Sequence, residues 1–140
     1  IGEDLPEEHN TVTLDDRLTD SNGLPAPKIN YTLSENSRRL MDHSVKSATT
    51  VLREAGATRV MANPLLRSGG WHLMGTARMG DDPERSVVDQ WCQSHDADNV
   101  FVVDGSVFVT AGAVNPTPTL QAIALRAADY IVHERDDLKG

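Results

Sequence analysis

The sequence predicts an α+β fold: a small, mostly antiparallel sheet packed by a long helix, with a C-terminal strand and helix. Three observations predict it. Two short runs of alternating apolar and polar residues, Asn10–Leu14 and Lys28–Leu33, lie on either side of a turn signal. Apolar residues at helical spacing follow from Ser34 to Ala55. A compact apolar run, Asn99–Asp104, then precedes a second stretch of helical spacing near the C-terminus.

The first element is a hairpin-like strand pair. Ile29, Tyr31 and Leu33 share one face of its second strand, and a one-residue slip would turn that face outward. The acidic connection Asp15–Pro27 contains Asp20-Ser21-Asn22-Gly23, a strong turn signal. Ser34 suits the N-cap of the long helix, whose stripe is Met41, Val45, Ala48, Leu52 and Ala55, and Gly56 supplies a left-handed stop. A short strand is expected around Thr58–Met61, ended by Asn63-Pro64, with Ser68-Gly69-Gly70 a flexible approach to the next block. Trp71–Asp89 has little periodicity and reads as a long structured loop, with a short strand at Ser86–Val88. The run NVFVVD, residues 99–104, has the pattern of a strand buried on both faces. In Asn115-Pro116-Thr117-Pro118, Thr117 suits the cap and Pro118 the first position of the last helix. Its stripe is Leu120, Ile123, Ala124, Ala127 and Ile131, and the tail HERDDLKG is expected to fray.

Composition excludes classes without naming a function. The 140 residues carry 13 Lys and Arg against 21 Asp and Glu, a net charge of −8, which argues against a nucleic-acid surface. Nothing approaches the ~20 consecutive apolar residues of a membrane helix. The opening IGEDLPEEHN lacks the charged-then-apolar pattern of a secretory leader. Aromatic residues are only 4%, so the core rests on aliphatic side chains and Met. The lone Cys92 forms no internal disulfide, which favours a reducing compartment such as the cytoplasm; any targeting signal would lie upstream of Ile1.

Two segments could carry chemistry. Trp71-His72-Leu73-Met74-Gly75-Thr76-Ala77-Arg78-Met79-Gly80 places a histidine in a non-periodic, glycine-bearing loop, where it could take a proton from a hydroxyl. A loop histidine more often only bonds a backbone carbonyl. Asn115-Pro116-Thr117-Pro118-Thr119 opens a helix, whose first turn presents unpaired N–H groups and partial positive charge. A stiffened, capped helix entry is the commoner meaning of such a segment. Cys92, His95 and Asp96 lack the second ligand pair of a zinc site, and no metal is expected. Asp81-Asp82-Pro83-Glu84 reads as a solvated acidic turn.

Taken jointly, H72-L-M-G-T-A-R-M-G80, V87-V-D89, N99-V-F-V-V-D-G-S106 and N115-P-T-P-T119 resemble the C-terminal region of the glucose–methanol–choline (GMC) flavin-dependent oxidoreductases. The order and spacing match from about Trp71 to Val132. The resemblance implies an alcohol or sugar oxidoreductase, choline dehydrogenase-like, acting on CH–OH donors with FAD as cofactor. His72 would be the base that takes the hydroxyl proton while hydride passes to flavin N5. Asn115 would occupy the partner position and hydrogen-bond the substrate oxygen. Asp104, Gly105, Asn115, Pro116 and Thr117 would face the cofactor. Residues 1–95 would belong to the substrate-binding part and residues 96–140 to a segment returning to the FAD-binding domain of the parent.

The family's N-terminal dinucleotide-binding glycine motif has no counterpart here, so the expected partner is a missing N-terminal FAD-binding portion. The alternative is a catalytically silent domain that folds or self-associates without cofactor. Association would be driven by apolar surface on the last helix and on the NVFVVD run.

Overall fold

A computed structural model describes residues 2–65 and 71–133. The Ser68-Gly69-Gly70 approach and the tail beyond His133 lie outside the described residues. The chain divides into two compact units, Ile1–Leu66 and Arg67–Gly140.

In the first unit, strand β1 (Thr11–Thr19) pairs antiparallel with β2 (Pro25–Asn30). Both strands extend into the acidic connection, beyond the alternating runs that predict them. Asp20 makes the turn by accepting the N–H groups of Asn22 and Leu24 at 2.8 and 2.9 Å, with Gly23 at a φ of 82°. Register runs regularly from Thr11 opposite Asn30 to Leu14 opposite Pro27, then breaks before Thr19 meets Pro25. Pro25 and Pro27 offer no N–H to the ladder. The surplus residues of β1 fold into a bulge, where the Asp15 carboxylate accepts from Arg17 and Leu18 at 2.9 and 2.8 Å. Those two bonds hold its carboxyl below the usual carboxylate range.

Helix α1 (Glu35–Glu54) begins as expected, with the Ser34 hydroxyl accepting from Ser37 N–H at 3.1 Å. It ends where Ala57 N–H bonds the Leu52 carbonyl at 3.0 Å around Gly56, whose φ is 94°. Of the expected stripe, Met41 and Val45 are half-buried, while Ala48, Leu52 and Ala55 are exposed. The buried line instead tracks the N-terminal half through Ser37 and Leu40. The extended N-terminal segment lies there: a Cβ on Gly2 would sit 2.6 Å from Leu40. Asp4 also accepts hydrogen bonds from the hydroxyls of Ser37 and Tyr31. The helix and hairpin are thus joined through this polar junction, and the hairpin residues Leu14 and Ile29 remain 67% and 73% exposed. No strand forms at Thr58–Met61, where no partner strand is available among the described residues.

The second unit is built from loops around a small core of Val88, Cys92, Val107 and Ala127, flanked by Met79, Val102, Phe108 and Ile123. The expected strand at Ser86–Val88 is reduced to single bridges, Val88 pairing with Met79 and with Ser94. NVFVVD is likewise not a regular strand. Phe101 bridges Gln93, Val102 N–H bonds the Cys92 carbonyl at 2.9 Å, and Val100 and Val103 are 46% and 40% exposed. A ladder needs a neighbour along its length, and among the described residues this run bridges at Gln93 alone.

Helix α2 (Thr117–His133) starts one residue earlier than the cap assignment predicts, with Leu120 N–H on the Pro116 carbonyl at 2.9 Å. Pro118 fits one turn-position later because the N–H it lacks has no helical acceptor there. Ala127 is buried, and Leu120, Ile123, Ala124 and Ile131 are half-buried, as their spacing predicts. Tyr130 stacks on Trp91 at 4.7 Å between centroids, and the Arg126 guanidinium lies 5.1 Å from the same ring. These two residues, one helical turn apart, dock α2 on the 89–94 turn.

Candidate functional site

The histidine loop is held by a backbone ladder. Gly75, Ala77 and Met79 donate their N–H groups to the carbonyls of Gly105, Ser106 and Val107 at 3.3, 2.9 and 2.9 Å. On its other side, Gly80 N–H bonds the Val88 carbonyl at 2.9 Å and Val87 N–H bonds the Arg78 carbonyl at 3.0 Å. A segment with no hydrophobic period therefore has a defined place, because its backbone is paired on both edges. The ladder also crosses the 95/96 division drawn from the sequence, and both sides of it lie in one compact unit.

At the head of this loop, His72 is exposed and adopts a φ of 61°. That left-handed conformation costs a non-glycine residue about 1–2 kcal/mol, and such outliers concentrate where geometry serves function.

Gly105, itself a rung of the ladder, lies close against the loop. A Cβ there would lie 3.0 Å from the Leu73 carbonyl oxygen and 3.5 Å from Met74 Cγ. The approach of the His72 loop itself therefore favours glycine here, a reason additional to any cofactor. Asp104 caps the single 3-10 turn Gly105–Val107, accepting from Ser106 N–H at 2.8 Å. Hydrogen bonding from Ser106, side chain first and then backbone, holds the exposed Asp104 carboxyl below its ordinary range.

Asn115 and Thr117 are exposed and Pro116 is half-buried at the entry to α2. Ala113, two residues earlier, also has a positive φ of 54°. The amides of Thr117 and Thr119 precede the first helical bond, so this end carries N–H donors and the positive pole of a 17-residue helix. An open apolar cleft of about 350 Å³ adjoins it, lined by Met79, Phe108, Val114, Pro116, Thr119 and Ile123. The N–H donors of this helix entry and the apolar wall beside it suit a flat, electron-rich group; neither His72 nor Asn115 lines the cleft. The entry and the wall provide no pyrophosphate anchor.

Sequence reasoning misses the 86–95 turn. Asp89 accepts from Trp91 and Gln93 N–H at 2.8 and 3.0 Å, and so sets Trp91 under α2 and Cys92 into the core at a φ of 66°. An Asp two residues before an aromatic is a turn signal that could have located it. Burial pushes the Cys92 thiol up; the Arg126 charge opposes this and Asp89 adds to it. Among the described residues no group of three or more His, Cys, Asp or Glu could hold a metal ion. The Asp81–Glu84 segment is an exposed turn, with Glu84 N–H on the Asp82 carboxylate at 3.0 Å.

Residues 6–124 match the family model described as GMC oxidoreductase. The chain belongs to the GMC oxidoreductase family. Among its curated GMC relatives, a 2-methyl-1,2-propanediol dehydrogenase from Mycolicibacterium austroafricanum is 47% identical over 139 residues, covering 99% of this chain and 25% of the relative. A paromamine 6'-oxidase from Streptomyces fradiae is 42% identical over 129 residues, covering 91% and 24%. The fructose dehydrogenase large subunit from Gluconobacter japonicus is 33% identical over 130 residues, covering 93% and 24%. The chain thus spans about a quarter of the length of these relatives.

Proposed function

We propose that this chain is the catalytic C-terminal part of an FAD-dependent enzyme that oxidises a CH–OH group of a small alcohol or sugar. The observation that carries the reading is the exposed, backbone-strained His72 on a loop laddered to Gly105–Val107, in the same compact unit as Asn115 and the α2 N-terminus. The printed names of the relatives, a diol dehydrogenase and a fructose dehydrogenase subunit among them, support the donor class.

His72 takes the hydroxyl proton of the substrate, a role that a neutral imidazole performs near physiological pH. Asn115 cannot act as a base; its side-chain amide donates a hydrogen bond to the substrate oxygen and fixes the carbinol. FAD, when bound, supplies the acceptor for the hydride that leaves the substrate carbon. The backbone around Asn115, Pro116 and Thr117 would help hold the cofactor, and the positive end of α2 would favour negative charge gained by it. Asp104 and Gly105 would contribute backbone to the cofactor site, while Gly105 leaves room for the loop. Residues 1–95 would serve the substrate side and residues 96–140 the cofactor side, and the 75–79 ladder joins the histidine loop to residues 105–107. The remaining FAD-binding portion would carry the pyrophosphate site.

In the full-length flavoenzyme, His72→Ala is expected to lower turnover at least about a hundredfold, the scale of a general base. Turnover within a few-fold of wild type, at equal flavin content, would refute the assignment.

A further inference from the structure

The half-buried His95 has a side chain that reaches across a neighbouring segment to the end of the histidine loop. Its backbone N–H bonds the Val87 carbonyl at 3.1 Å, while its Nε2 lies 3.0 Å from both the Gly80 carbonyl and Ser86 Oγ. A carbonyl only accepts, so Nε2 carries a hydrogen, which the Gly80 carbonyl and the Ser86 oxygen share as acceptors. The Ser86 hydroxyl has one hydrogen, and the Asp82 carbonyl at 2.5 Å lies closer to it than the Gly80 carbonyl at 3.0 Å. With Ser86 donating to Asp82, the Gly80 carbonyl depends on His95. The fit is tight here, since a Cβ on Gly80 would lie 3.0 Å from Ser86 Cβ.

Gly80 directly follows Met79, the last rung of the ladder that fixes the loop to Val107. We propose that His95, seated by Ser86, is a positioning residue that clamps the Gly80 carbonyl and thereby holds the His72 loop in its working register. The proposal rests on the reading of His72 as the base, but the clamp itself is independent of it. Without the imidazole, a partly buried carbonyl loses its donor, the turn at Gly80 relaxes, and the ladder frays from its Met79 end towards His72. A displacement of about 1 Å in a reacting group costs on the order of a hundredfold in rate.

The test uses the full-length holoenzyme with His95→Leu and His95→Gln, because the Gln amide nitrogen can reach the position of Nε2 and restore the donor. Backbone hydrogen exchange is measured at Gly75, Ala77 and Met79, and anaerobic flavin reduction with a panel of 1,2-diols and hexoses. His95→Leu is expected to speed exchange at the three amides at least about tenfold. It is also expected to lower the reduction rate per bound flavin about ten- to a hundredfold, with KM within about threefold. His95→Gln is expected to return both to within about threefold of wild type. Where His95→Leu yields no folded holoenzyme, His95→Asn takes its place, since the shorter amide stops at the Nδ1 position and should be as impaired. Unchanged exchange in the variant lacking the donor, or His95→Gln as impaired as His95→Leu, overturns the clamp. If wild-type enzyme reduces its flavin with no member of the panel, the functional reading fails and the exchange data alone decide the clamp.

Discussion

Gly105→Ala is the most informative single perturbation, because its first contact would be the approach between the histidine loop and its ladder. The new methyl group would lie 3.0 Å from the Leu73 carbonyl oxygen, a backbone atom one residue from His72. Ordinary contact needs a few tenths of an ångström more, and the yielding partner is main chain already bonded through Gly75 to the Gly105 carbonyl. Overpacking of this kind costs about 1–3 kcal/mol. Losing glycine's freedom in the unfolded chain offsets about 0.4–1 kcal/mol of that, leaving a net loss centred near 1 kcal/mol. If the loop moves by a few tenths of an ångström, turnover should fall about three- to tenfold, scaling from the cost of a full-ångström displacement. Gly112→Ala is the internal control, since its methyl group would meet only Val114 at 3.8 Å and should be neutral or slightly stabilising. Denaturant midpoints at constant m-value and turnover per bound flavin report the two effects. A Gly105→Ala enzyme as stable and as fast as Gly112→Ala would refute loop packing as the reason for glycine.

Two further outcomes follow from the same structure. Partial desolvation, then the hydrogen bond to Asp4 and its charge, push Tyr31 from 10.0 up to about 12. The folded chain thus holds this proton more tightly than the unfolded one, so its stabilising contribution is complete below pH 10 and is lost as pH rises through about 12. Thermal unfolding across that window should fall less steeply for Tyr31→Phe than for wild type, and equal slopes would count against the Asp4 contact. The isolated chain, titrated with FAD, should show no stoichiometric red-shifted flavin, because no phosphate-binding glycine loop is in its sequence. It should bind an apolar-surface dye through exposed Leu125, Val132 and Ile29. Tight flavin binding with no dye signal would overturn that expectation.

Local chemistry made much of this molecule legible. The Asp20–Gly23 turn, the Ser34 cap, the Gly56 stop and the half-buried stripe of α2 each depend on residues within a few positions of one another. Alternation predicted the hairpin, but Pro25 and Pro27 placed a bulge where alternation had nothing to say. NVFVVD misled because a continuous apolar run registers hydrophobicity, whereas a strand also needs a backbone neighbour. In the sequence His95 reads only as a weak metal ligand, since its partners, Ser86 and the Gly80 carbonyl, lie 9 and 15 residues away and one of them is main chain.

By itself the sequence determined the α+β class, the two helices with both ends of α1, and the motifs around His72, Gly105 and Asn115 that resemble the GMC family. It did so because caps, turns and helical periods are short-range, and because motif spacing survives without coordinates. Only the tertiary structure decided that the histidine loop is paired on both edges and that Gly105 is glycine to admit Leu73. It alone showed that Trp91 seats α2 and that His95 reaches Gly80. Those contacts join segments with no period of their own, and backbone hydrogen bonds between such segments leave no mark on the side-chain pattern.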